Sequence, residues 1–342
     1  KESQFDLISV YSQFLVNTIR EKVNHPDHYD TPLQDFHIVV DAGNGSGGFF
    51  VDKVLLPLGA DTTGSQFLDP NGMFPNHIPN PENETAMESI QQAVLKNKAD
   101  IGIIFDTDVD RSAAVDHTGT GINRNRLIAL ISTIILEEHP HSTIVTDSIT
   151  SDGLTYYIEN ELHGIHHRFQ RGYKNVINEA IRLNKAGQEC WLAIETSGHA
   201  ALKENYFLDD GAFLITKLLV KAALLREKGE TLFSLTDKLQ IPLESKEIRF
   251  KIKVPGFKEY GNKIIADLTA YVKKIEGWQI VPNTYEGIRV SCDLNSGYGW
   301  FLLRLSLHDP VIPLNIESNQ EGGVQKITDK LTEFLKRYSE LE

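Results

Sequence analysis

The chain is 342 residues long, 41% apolar and 24% charged, a balance that excludes a disordered protein and requires more than one hydrophobic core. Its formal charge of -13 argues against nucleic acid or an anionic membrane surface as the main partner, so any phosphate it binds must be caught by local cations. Two cysteines, Cys190 and Cys292, are too few for a disulfide framework and read as reduced core thiols.

In chain order, Leu7, Ile8, Tyr11, Phe14, Leu15 and Ile19 recur at helical spacing and predict an amphipathic helix to about Val23, followed by a polar connector from Asn24 to Gln34. Short apolar runs then alternate with helix-period segments, the pattern of parallel strands with crossover helices. Ile38-Val39-Val40-Asp41 reads as a strand ending in an acid, then a glycine-bearing turn and a helix. The turn, Asn44-Gly45-Ser46-Gly47-Gly48, lacks the Gly-Lys-[Ser/Thr] end of a P-loop and reads as structural. A second strand ends Ile103-Ile104-Phe105-Asp106. Leu127 to Leu136 is too short for a membrane helix and is broken by Ser132 and Thr133, so a soluble, cytoplasmic protein without membrane partners is expected. The strand design returns in Ile144-Val145-Thr146-Asp147 and Ala193-Ile194-Glu195. This repetition predicts two related α/β domains, residues 1–120 and 121–240, with acids at the strand ends where such sheets bind ligands.

From about Ile241 the texture becomes α+β, giving a third domain over 241–342 behind a linker formed by Pro242 and a helix ending near Gln240. Its expected elements are a strand from Lys246 to Val254, a helix from Tyr260 to Ile275, strands at Trp278 to Val281, Gly287 to Asp293 and Gly299 to Ser306, and a closing helix from Gln325 to Tyr338.

Three carboxylates, Asp106, Asp108 and Asp110, fall within five residues, followed by Arg111. Their mutual repulsion is relieved by a hard cation with oxygen ligands, and Mg²⁺ fits because it takes few carboxylates and keeps sites for water and phosphate oxygens. An EF-hand is excluded, since its glycine and glutamate positions hold Arg111 and His117. The strand ending in Asp-x-Asp also resembles the nucleophile motif of haloacid-dehalogenase-type phosphatases, and a phosphatase or mutase of that type, with Asp106 as nucleophile and Asp108 as acid, is an alternative that would need Lys174 and Asp209-Asp210 as its remaining parts. At Glu195-Thr196-Ser197-Gly198-His199 a carboxylate and a hydroxyl suited to sugar hydroxyls stand beside an imidazole that can move a proton near neutral pH.

Asp-x-Asp-x-Asp-Arg, then Gly172-Tyr173-Lys174, then Glu-x-Ser-Gly-His, then Arg304-Leu305-Ser306 is an order that resembles the α-D-phosphohexomutases, which include phosphoglucomutases, phosphomannomutases and phosphoglucosamine mutases. The resemblance covers nearly the whole chain. It implies that Asp106, Asp108 and Asp110 bind Mg²⁺, that Glu195 and Ser197 hold sugar hydroxyls, and that Arg304 and Ser306 clamp the substrate's non-transferring phosphate. Lys174, His199 and Arg111 are implied near the reacting hydroxyl and the metal loop as electrostatic or proton-transfer partners.

Two departures stand out. His308 occupies the place where the family's phosphate loop usually has threonine, and no serine in the chain is followed by histidine and asparagine. In the family a Ser-His-Asn-Pro-type loop on the first domain carries the phosphoryl group. The expectation is a chain holding the last three of four domains, bound to a hexose phosphate, inactive without its phosphoserine domain. A non-catalytic sugar-phosphate binding subunit that kept the loops is the further alternative.

Overall fold

A computed structural model describes residues 4–306 and 309–342. Packing divides the chain into two compact units. One holds the chain up to Thr146 with Tyr157–His167 and Gly172–Leu239; the other holds Asp147–Tyr156, Arg168–Arg171 and Gln240–Glu342.

The first unit opens with α1 (Leu7–Val23), where the Asp6 carboxylate accepts the Ser9 N–H at 3.1 Å and Asn24 ends the helix in a left-handed conformation. Leu15, Val16, Ile19 and Val23 are buried, whereas Leu7, Ile8 and Phe14, counted with them from the sequence, are exposed. After β1 (Ile38–Asp41) the expected helix is present as an irregular helical segment over 49–58, π-helical at Val51–Leu55 and 3-10 at Leu56–Leu58, closed by Gly59. Pro57 has no N–H to donate, and Gly59, left-handed at φ +88°, ends the segment. Next come α2 (Glu84–Asn97), β2 (Ile101–Phe105), β3 (Ser112–Asp116) and β4 (Gly121–Ile122), in a sheet of order β1-β2-β3-β4. Strand β2 runs parallel to β1 but antiparallel to β3, with Phe105 opposite Ser112. The sheet is therefore mixed, and the carboxylate loop is the tip of a hairpin.

The design repeats. After α3 (Arg124–Glu138) come β5 (Thr143–Asp147), α4 (Asp152–Tyr156), which is counted with the second unit, β6 (Ile165–Phe169), α5 (Tyr173–Lys185), β7 (Cys190–Ile194), β8 (Ala200–Leu202) and α6 (Gly211–Arg226), with sheet order β6-β5-β7-β8. Strand β7 is parallel to β5 and antiparallel to β8, with Ile194 opposite Ala200. Glu195 to His199 thus forms a second hairpin tip. Helix α6 ends at Arg226, and only a 3-10 turn, Leu232–Thr236, lies where a helix was expected to reach Gln240.

In the second unit, β9 (Glu244–Lys251), α7 (Phe257–Val272), β10 (Trp278–Ile280), β11 (Ile288–Cys292), β12 (Gly299–Leu303), β13 (Val311–Ser318) and α8 (Gly323–Leu335) build an antiparallel sheet of order β10-β11-β12-β13-β9. Ile264 and Leu268 of α7 and Ile327 and Leu331 of α8 cover Val290, Phe301 and Leu314 of the sheet. Each such side chain contributes about 1.5–3 kcal/mol of burial. Both cysteines are free and buried, and burial pushes each thiol up to about 12. The fold class matches the expectation of two α/β domains followed by an α+β domain. Among the described residues no helix is long and apolar enough to cross a membrane.

Candidate active site

The β2–β3 hairpin tip separates its three aspartates by environment. Asp106 is fully buried, Asp110 is partly buried and Asp108 is exposed. Arg111 grips Asp106 twice, its backbone N–H donating to Oδ1 at 3.1 Å and its Nε to Oδ2 at 2.8 Å. Burial pushes the Asp106 carboxyl above the ordinary range, and neighbouring Asp110 acts the same way against the backbone hydrogen bond from Arg111. One oxygen from each of the three carboxylates lies within 4.8 Å of the others. Asp110 Oδ1 is buried without a hydrogen-bond partner, a lone pair that a cation would satisfy. Arg111 thus gives one hydrogen bond to each Asp106 oxygen, and each carboxylate oxygen has a second lone pair to offer.

The turn at Asn44 to Gly48 supports this loop from below. Ser46 donates to the Thr107 carbonyl through its N–H at 2.9 Å and its hydroxyl at 3.0 Å. A Cβ on Gly45 would lie 2.7 Å from that same oxygen.

The β7–β8 tip packs directly on the first. Arg111 and His199 form an isolated antiparallel bridge, and the Gly211 N–H donates to the Val109 carbonyl at 3.0 Å. Gly198, at φ +99°, brings its Cα so close that a Cβ would stand 2.9 Å from the Ser112 carbonyl. Glu195 is buried; its Oε1 accepts the Gly172 N–H at 2.6 Å and its Oε2 the Ser197 hydroxyl at 3.3 Å. His199 Nδ1 meets Asp209 Oδ2 at 2.7 Å and lies 3.7 Å from Asp110 Oδ2. Burial alone would lower the His199 pKa, but the hydrogen bond to Asp209 and the charges of Asp209, Asp110 and Glu195 outweigh it and the net shift is upward. The Tyr173 ring stacks on His199 at 4.9 Å, and exposed Lys174, on the first turn of α5, has its Nζ 5.8 Å from the Tyr173 centroid.

The structure thus brings Asp106, Asp108, Asp110, Arg111, Glu195, Ser197 and His199 into two adjoining tips, with Lys174 linked to them through Tyr173. An open cleft of about 270 Å³ beside them is walled by Tyr11, Phe49, Asp108, Asp110 and Asp209. Asp110, His199 and Asp209 are a second group with metal-ligand spacing. Magnesium takes oxygen ligands and His199 favours its proton, so the three-aspartate set fits that ion better. From the sequence Asp209 enters only the phosphatase alternative, and Gly172-Tyr173-Lys174 is a motif whose Gly172 N–H bond to Glu195 and Tyr173 stacking on His199 are contacts distant in sequence.

In the second unit, Arg304 follows β12. Its guanidinium is largely buried, its Nε has no hydrogen-bond partner, and burial lowers its pKa from the ordinary arginine value while Glu286 opposes the shift. Ser306 donates its N–H to the Val311 carbonyl at 3.0 Å, and its hydroxyl accepts the Asp309 N–H at 3.3 Å. His308 lies outside the described residues.

Residues 11–119 match the profile of phosphoglucomutase/phosphomannomutase alpha/beta/alpha domain II, and residues 123–241 that of domain III. A phosphoglucomutase of Neisseria gonorrhoeae is 28% identical over 295 residues, covering 86% of this chain and 60% of its own length. The chain thus spans about 60% of the length of that curated relative. A crystal structure of a phosphoglucomutase/phosphomannomutase family protein from Burkholderia thailandensis superposes with a TM-score of 0.78 at 26% identity, over 98% of this chain and 65% of that one. The Aspergillus fumigatus N-acetylphosphoglucosamine mutase, in complex with GlcNAc-6P and magnesium, shares the fold at a TM-score of 0.63 and 14% identity, over 96% of this chain and 65% of that one. With both α/β domains matched by the family's profiles over more than half of its length, the chain belongs to the α-D-phosphohexomutase family.

Proposed function

We propose that this chain supplies the metal, sugar and phosphate loops of an enzyme that interconverts hexose 1-phosphate and hexose 6-phosphate through a phosphoserine and a bisphosphorylated sugar. The observation that carries this reading is the adjoining of the two hairpin tips, three carboxylates on one and Glu195, Ser197 and His199 on the other, within one compact unit. Asp106, Asp108 and Asp110 would hold Mg²⁺, which when bound neutralises charge on a transferring phosphoryl group. Arg111 fixes Asp106 so that the loop keeps its shape without the ion.

Glu195 and Ser197 accept and donate hydrogen bonds to neighbouring sugar hydroxyls, and the Gly172 N–H orients Glu195 for that task. His199, held by Asp209 with its proton favoured, moves a proton at the reacting hydroxyl. Lys174 adds positive charge beside it. Arg304 and Ser306 clamp the non-transferring phosphate, the planar guanidinium meeting two oxygens at once. The phosphoserine donor belongs, in this reading, to a domain outside these 342 residues. The sugar is left as glucose, mannose or glucosamine.

Titration calorimetry with hexose 1-phosphate tests the sugar loop. The double substitution Glu195→Gln with Ser197→Ala should weaken binding by about 2–3 kcal/mol, because two buried polar contacts are lost together. Unchanged affinity in a variant that keeps its circular dichroism spectrum would remove these residues from the site.

A further inference from the structure

Glu286 lies on the turn between β10 and β11, and its position is not that of a surface acid. Its Oε1 accepts the Arg171 backbone N–H at 2.8 Å and also the hydroxyl of buried Ser148. Gly287, at φ +58°, presses this turn onto the end of β12: a Cβ there would lie 2.1 Å from the Leu303 carbonyl and 2.7 Å from Arg304 Cα. Glu286 is consequently the leading charge around Arg304, ahead of Arg171. All these residues belong to the second unit.

A backbone N–H, a serine hydroxyl and a buried guanidinium with an unpartnered Nε are the donors that an oxyanion requires. Here a carboxylate of the chain itself takes the first two and stands beside the third. We propose that Glu286 is a place-holder for a phosphate oxygen, its carboxylate occupying the donors of Ser148 and Arg171 until the non-transferring phosphate of a hexose phosphate displaces it. The inference rests on the reading of Arg304 as a phosphate ligand. Glu286 keeps the subsite ordered and its cation balanced when empty, and it sets a threshold that a dianionic phosphate passes and a neutral sugar does not.

Glutamine keeps the shape and accepts from the same two donors but removes the charge. Glu286→Gln should therefore bind inorganic phosphate about tenfold more tightly than the wild type at low ionic strength, since a like-charge contact is relieved. A residue that merely ties two segments together would give no such gain. Calorimetry of wild type, Glu286→Gln and Arg304→Lys with inorganic phosphate separates the outcomes. If Arg304→Lys weakens phosphate binding while Glu286→Gln leaves it equal or weaker, the place-holder is overturned and the phosphate loop stands. If Arg304→Lys changes nothing, or neither the wild type nor Glu286→Gln binds phosphate, the loop assignment falls and this inference with it. Should Glu286→Gln not fold, Glu286→Asp, which retracts the carboxylate by one methylene, should still tighten phosphate binding, and a folded aspartate variant without that gain overturns the proposal.

Discussion

Asp108 is the exposed member of the carboxylate set and Asp106 the buried one, and the contrast decides what each substitution does. Asp108→Asn should abolish measurable Mg²⁺ binding while leaving thermal stability within about 0.5 kcal/mol, as for a surface change. Equal calorimetric metal binding by variant and parent would rule out the loop as the metal site. Asp106→Asn leaves the Arg111 guanidinium without its buried carboxylate, so it should cost about 2 kcal/mol of stability in denaturant titration. The acid cluster was legible in the sequence because its three carboxylates fall within five residues at the end of an apolar run. Their partners were not. That Arg111 serves Asp106, or that Asp209 sets the protonation of His199, depends on hairpin returns that bring the pairs to 2.8 and 2.7 Å.

The hairpin tip is the element that does the positioning, and it occurs twice, each time after a buried strand flanked by a parallel neighbour and an antiparallel one. Its close approach needs glycine at Gly198. Gly198→Ala, strained at φ +99° and 2.9 Å from the Ser112 carbonyl, should cost about 2 kcal/mol of stability and weaken hexose-phosphate binding as the tips part. Denaturant unfolding with binding measured on the folded fraction would check both; an unperturbed variant would mean the tips are not locked by this contact. In the second unit the sequence hid β13, because Pro313 argues against an interior strand, yet it lies between β12 and β9 with its carbonyl accepting the Arg304 N–H at 3.1 Å. Strand β6 was hidden by its run His166-His167-Arg168. On β13, burial pushes Glu317 up to about 7, with Arg289 and the Trp300 indole N–H opposing. A carboxyl raised in the fold contributes stability that is full below its unfolded value and is lost as pH rises through about 7. Melting of the second unit should therefore decline between pH 5 and pH 8 in the wild type and decline less in Glu317→Gln. Parallel pH profiles would show that Glu317 does not carry the linkage.

At the scale of the whole molecule, domain order and class could be read from the repeated acid-ended strands, but the mixed pairing of the sheets could not, since an apolar run does not declare its neighbour's direction. What the whole molecule can do follows from the chemistry its loops divide among themselves. In the proposed reading the chain's loops bind a cation, hydroxyls and a phosphate, but transfer needs a phosphorylated donor placed in line with the accepting hydroxyl. No serine of these 342 residues stands in a Ser-His-Asn sequence, and the α/β profiles matched are those of domains II and III. The 342-residue chain alone should therefore bind hexose 1-phosphate and Mg²⁺ without converting the sugar, even when a trace of hexose bisphosphate is supplied. Adding a Ser-His-Asn-bearing domain from a relative, fused or as a separate chain, should restore turnover, and its Ser→Ala form should not. A coupled assay for hexose 6-phosphate reads both results. Sustained turnover by the chain alone, with contaminating full-length mutase excluded by mass spectrometry, would place the phosphoryl carrier within these residues and overturn the proposed division of labour.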